Sequence, residues 1–128
     1  MKICAEISPG ELFDKIAILE IKKARIRDLE KLRHIETELD LLKEARSRQI
    51  PASAALGSLY REIKEVNERL WEIEDAIRRC ERNKEFGEDF VRLARSVYLT
   101  NDRRSRIKKE INERLGARIV EEKSYEPY

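Results

Sequence analysis

The sequence predicts an all-α protein, an elongated three-helix antiparallel bundle of coiled-coil-like packing with short extended ends. Apolar residues recur at steps of three and four over long stretches, and only two short breaks interrupt them. Charged residues make up 42% of the chain, the 28 basic side chains nearly cancel the 26 acidic ones, and aromatics are only 6%. That balance belongs to solvated helix faces around a narrow core, and 128 residues suit one domain spanning 1–128.

Residues 1–8 read as an extended N-terminus, in which Ile3, Ala5 and Ile7 alternate like a strand. A first helix is expected over 9–48, because Leu12, Ile16, Leu19, Ile26, Leu29, Leu32, Ile35, Leu39 and Leu42 keep helical spacing and no proline intervenes before Pro51. Ser8, Pro9, Gly10 and Glu11 fit its N-cap, N1, N2 and N3 positions as a capping box, with the serine oxygen accepting from the Glu11 amide and Glu11 reaching back to the cap amide. A phosphate-binding loop would need a second glycine followed by lysine and Ser/Thr, and the stretch has neither in register. Capping leaves Gly10 unexplained, since alanine at N2 would favour a helix by up to about 1 kcal/mol. Something must approach Gly10 closely; the Phe86/Gly87 turn or Tyr125 of a partner chain is the expected neighbour.

A second helix is expected over 53–82, where Leu56, Leu59, Ile63, Val66, Leu70, Ile73, Ile77 and Cys80 form an a/d seam. The third, over 87–115, is outlined by Phe90, Leu93, Val97, Ile107, Ile111 and Leu115, with Gly116 as its terminating C′ residue. The breaks at 48–53 and 83–87 are short, so successive helices should be antiparallel neighbours. Residues 117–128 form an extended tail. In this topology the two chain ends start at opposite ends of the bundle, and they meet only if the tail runs back, the first helix is bent or shorter, or two chains exchange ends. A thin bundle with apolar residues on more than one face favours a homodimer.

Several function classes find no support. The N-terminus has no apolar signal-peptide core and no apolar run approaches the roughly 20 residues of a membrane span, so a cytoplasmic, non-membrane protein is expected. Cys4 and Cys80 lie too far apart for a CxxC site and read as two reduced, buried thiols, while His34 stands alone; no metal and no cofactor are expected. Glu72 to Asp75 matches half of a helical nucleotide-pyrophosphatase motif, but its EExxE half is missing, with Glu36 to Asp40 the nearest approximation. A chorismate-mutase-like pocket would need converging basic residues that a sequence cannot display.

The segments "ISPGELFDKIAILEIK", "VNERLWEIEDAIR", "FVRLARSVYLTNDRRSRIKKEIN" and "EEKSYEPY" occur in this order along nearly the whole chain. Together they resemble a family of small helical bacterial and phage proteins of unknown function whose members begin with an (I/V)SxGE(L/I)xDKxxIL motif. Phe13 and Ala17 depart from that pattern, which has an aliphatic residue and a threonine there. The resemblance implies an all-helical fold. Some members are fused to or stand beside glycosyltransferase or tetratricopeptide-repeat modules, which implies an accessory role in surface-polysaccharide or other sugar metabolism.

One flank of the second helix carries Asn67, Trp71, Glu74 and Arg78 at steps of four, three and four, with Asp75 adjacent. Closing the 83–87 turn sets Trp71 opposite Val97/Tyr98, Glu74 opposite Arg95, and Asn67 opposite Asn101/Asp102. The eight residues Asn67, Trp71, Glu74, Asp75, Arg95, Tyr98, Asn101 and Asp102 are therefore the candidate cluster. It reads either as a register-fixing polar network or as a groove for a nucleotide, sugar nucleotide or other small molecule. From Arg92 to Arg118 nine basic residues face three acidic ones, and Arg103, Arg104, Arg106, Lys108 and Lys109 fall in one window. This window is a candidate face for an anionic partner, although no aromatics interleave to stack bases and nucleic acid is not the expected ligand. The leading expectation is a non-catalytic interaction or accessory module, with a protein partner such as a glycosyltransferase; an enzymatic or small-molecule groove is second and nucleic-acid binding third.

Overall fold

A computed structural model describes residues 1–128. It has four helices and no strand: α1 (Pro9–Arg25), α2 (Leu29–Gln49), α3 (Ala54–Asn83) and α4 (Glu88–Arg114). The expected three-helix bundle is therefore corrected. The helix anticipated over 9–48 is two helices that fold back on each other, while those anticipated over 53–82 and 87–115 correspond to α3 and α4.

The break at Ile26 to Asp28 has a local and a tertiary cause. Locally, Lys22, Lys23 and Arg25 place positive charge at the C-terminal end of α1, and the Asp28 carboxylate accepts from the Lys31 amide at 3.0 Å to cap α2, with Glu30 in its first turn. The tertiary gain is larger. Turning back at 26–28 lets Ile35 and Leu39 pack on Leu12, Ile16 and Leu19, an apolar cluster that a straight 40-residue helix could not form. The other face of α1 puts Phe13 and Ala17 into a second cluster with Leu56, Leu59, Ile63, Val66, Ile107 and Ile111. Phe13 and Ala17 are thus fully engaged core residues.

α1 is the central helix, in contact with α2, α3 and α4. It runs parallel to α3, as Phe13 against Tyr60 and Arg25 against Trp71 show, and antiparallel to α2 and α4. Its 17 residues span about 26 Å, against about 45 Å for the 30 of α3. The distal parts of α3 and α4 consequently project beyond α1 as a two-helix arm. The arm turns at Lys84, which adopts the left-handed conformation (φ 57°), and at the far end of α4 Gly116 (φ 60°) terminates the helix.

The N-terminal segment forms no strand, and Ile3 and Ile7 are exposed. The opposed-ends problem disappears because α1 is short. Its N-terminus lies beside the C-terminal half of α4, so Arg118 pairs with Glu6 while the tail runs back along α4. Cys4, expected to be buried, is exposed; Cys80 is half-buried, and both are free thiols. No helix is long and apolar enough to cross a membrane.

Candidate functional site

The opening motif builds a clasp between α1 and α4. Ser8 caps α1, its hydroxyl accepting from the Glu11 amide at 3.2 Å. The reciprocal half of the expected capping box is absent, because the Glu11 carboxylate accepts from Lys108 Nζ at 2.7 Å instead. Gly10 is explained by neither expected neighbour. A Cβ there would stand 2.5 Å from the Lys108 carbonyl oxygen and 2.9 Å from Asn112 Oδ1, and the Gly10 amide donates to that same Asn112 oxygen at 2.7 Å. Only glycine lets the two helix backbones come this close.

One turn further on, Asp14 is 1% exposed and its carboxylate is fully partnered. It accepts from Asn67 Nδ2 at 2.8 Å and from two nitrogens of the Arg104 guanidinium, Nε at 2.9 Å and Nη2, with Lys108 Nζ at 3.8 Å. The bond to Asp14 raises the Arg104 pKa above its ordinary value even though burial opposes it. Burial likewise works against the Lys108 charge, but Glu11, Glu121 (3.1 Å) and Asp14 together outweigh it and raise its pKa. A fully satisfied buried ion pair fixes register, and here it ties α1, α3, α4 and the tail into one unit. The sequence signal for Asp14 is a carboxylate set between the apolar core positions Phe13 and Ala17 of "LFDKIA".

On the opposite side of α1, Glu20 is held by Lys64 at 3.1 Å and Lys43 at 3.5 Å. Burial would raise its pKa, but the neighbouring Tyr60 hydroxyl and the two lysines bring it below the usual carboxylate range. Tyr60 in turn is pushed above its ordinary range, by burial first and by the adjoining Glu20 carboxylate second.

The eight residues of the candidate cluster divide. Asn67, Trp71, Glu74, Asp75 and Asn101 line one groove of about 440 Å³ where α1, α3 and α4 meet at the base of the arm, and Arg104 forms part of its floor. Trp71 is half-buried with the Arg25 guanidinium 5.9 Å from its ring centroid. Glu74 is exposed and bound by Arg78 at 2.8 Å within its own helix. Arg95 is exposed and lies outside the groove. Tyr98 and Asp102 face the tail instead: Tyr98 meets the Tyr128 ring at 5.4 Å, and Asp102 accepts from the Tyr128 hydroxyl. The basic window divides too, with Arg104 and Lys108 turned inward to the clasp and Arg103, Arg106 and Lys109 exposed. No three His, Cys, Asp or Glu side chains converge in a way that could hold a metal ion.

These features define a small all-helical protein whose buried charges are paired with one another through an N-terminal motif. The chain belongs to the Family of unknown function (DUF6165), whose family model matches residues 1–128. No curated protein and no solved structure matches it.

Proposed function

We propose that the chain is a non-catalytic helical interaction module that works as a homodimer, joined through the α3–α4 arm. One observation carries this reading. Of the 22 buried residues, the segment from Glu72 to Leu99 contributes only Ile73. Ile77, Cys80, Phe90, Leu93 and Val97 are half-covered, while Phe86 (49%) and Val91 (52%) are largely exposed. Two helices cannot enclose a seam by themselves, and a second hairpin laid against the first gives a four-helix bundle. The arm's seven acidic and six basic side chains nearly cancel, so two copies meet without net repulsion.

The paired state of the central ions also supports a binding rather than a catalytic role, since Asp14, Glu11, Arg104 and Lys108 already satisfy each other. The inward positions of Arg104 and Lys108 weaken the basic face that nucleic acid would require. An accessory role beside a sugar-pathway enzyme such as a glycosyltransferase, and a cytoplasmic setting, have the sequence resemblance and composition as their support.

Sedimentation equilibrium tests the dimer. The wild-type chain should sediment at twice its 15.2 kDa, and Val91→Asp should return it to a single chain with unchanged helicity. A wild type that stays at one chain mass at all concentrations, or a Val91→Asp variant that still pairs, contradicts the reading.

A further inference from the structure

The groove at the base of the arm borders the clasp through Asn67 and Arg104 and the arm's seam through Val97, but Trp71 and Asp75 in its lining belong to neither. Its floor contains Asn67, which is 6% exposed and directs one amide N–H to Asp14. The Asn67 carbonyl oxygen accepts no hydrogen bond from the protein and is not sealed from solvent, and Asn67 lines the groove. A nearly buried acceptor with no protein partner favours a ligand that brings a donor. Between this floor and the rim run apolar walls, including Ile18, Val97 and the Trp71 indole. At the rim stands Asp75, eight residues or about 12 Å along α3 from Asn67; it forms no ion pair, unlike Glu74, which Arg78 holds.

The charge inventory decides the ligand class. Arg104 is the only cation in the lining, and two of its nitrogens are bound to Asp14; the Arg25 guanidinium, beside the groove, stands 5.9 Å from the Trp71 ring centroid and pairs with Glu72 at 3.5 Å. Its remaining Nη1 lies 3.5 Å from Asn101 Oδ1. The groups left available are an uncharged acceptor on the floor, the face of Trp71 that Arg25 does not cover, and a free carboxylate at the rim. A phosphate or carboxylate would find no unengaged cation there, which argues against a nucleotide. We infer that the groove binds an elongated amphipathic amine. Its ammonium head lies by Asp75 and Trp71, its apolar body follows the aliphatic wall, and a hydroxyl at the far end donates to the Asn67 carbonyl.

Trp71 is the chain's only tryptophan, so indole fluorescence excited at the red edge, where phenols do not absorb, reports this groove directly. Titrating the full chain with tyramine should give a saturable change. Phenethylamine, which lacks the hydroxyl, should bind several-fold more weakly, and 3-(4-hydroxyphenyl)propionate, which replaces the amine with a carboxylate, should give no change. Asp75→Asn, an exposed substitution that leaves the fold intact by circular dichroism, should weaken tyramine by about fivefold, the scale of one exposed ion pair. Equal or tighter binding of the propionate, a tyramine response unaltered by Asp75→Asn, or no saturable response to tyramine at millimolar concentration overturns the inference.

Discussion

The body around α1 and the arm beyond it are built from equally helical, equally charged sequence, yet they differ in what holds them. In the body, α1 buries Leu12, Ile16 and Leu19 toward α2 and Phe13 and Ala17 toward α3 and α4, with a paired carboxylate between them. In the arm, helices of the same quality face one another across a single seam and only Ile73 is buried. The contrast shows that periodicity makes helices but partners make cores. A seam of apolar residues is a statement about what a helix needs, and the body supplies it within the chain while the arm does not; in the proposed dimer a second copy would supply it.

The sharpest way to break the body is through its buried charge. Asp14→Ala strands the Arg104 guanidinium and removes an acceptor from Asn67 and Lys108; removing one member of a buried pair costs about 3 kcal/mol or more, a fall of roughly 10 °C in melting temperature by calorimetry. Asp14→Asn, which keeps an acceptor oxygen, should cost less. Next comes Gly10→Ala. The new methyl meets the Lys108 carbonyl and must push α1 from α4, at about 1–3 kcal/mol in urea denaturation. Had Gly10 been only a helix residue, the same change would stabilise the protein.

A smaller effect comes from pH. Lys108 has a raised pKa in the folded state, so its contribution is complete below the ordinary lysine value of 10.5 and is lost as pH rises through the folded value. Melting temperature should therefore drop on the alkaline side, and Lys108→Met should flatten that drop. Glu20, with its lowered pKa, contributes on the acid side: its share is present above the ordinary value of 4.5 and disappears as pH falls through the folded one.

Much of this architecture is legible in the residues, and the exceptions have physical reasons. α3 and α4 could be read because a short turn and a long uninterrupted seam leave few alternatives. The break between α1 and α2 was hidden because the apolar steps from Leu19 through Ile26 to Leu29 continue in phase across it. Only the switch from Lys22, Lys23 and Arg25 to Asp28 and Glu30 marks it, and a charge switch of that kind is common inside solvated helices. A continuous first helix would place its start beside the Phe86/Gly87 turn, whereas the break sets Gly10 against Lys108 and Asn112 at the other end of the bundle. The need for a close approach at Gly10 was legible from its chemistry; the identity of Lys108 and Asn112 required the topology. The groove was partly legible too. The 83–87 turn sets Asn67 and Asn101 on one side, but the outward tilt of Tyr98 and Asp102 toward Tyr128 depends on where the tail lies.

Amide hydrogen exchange measured at two protein concentrations tests most directly the claim that the body is complete in itself and the arm is not. Protection in Leu12–Leu19, Ile63–Asn67 and Ile107–Asn112 should be the same in dilute and concentrated samples, whereas protection from Glu72 to Leu99 should rise with concentration as copies pair. An arm as well protected as the body in the dilute sample, and indifferent to concentration, would contradict the account.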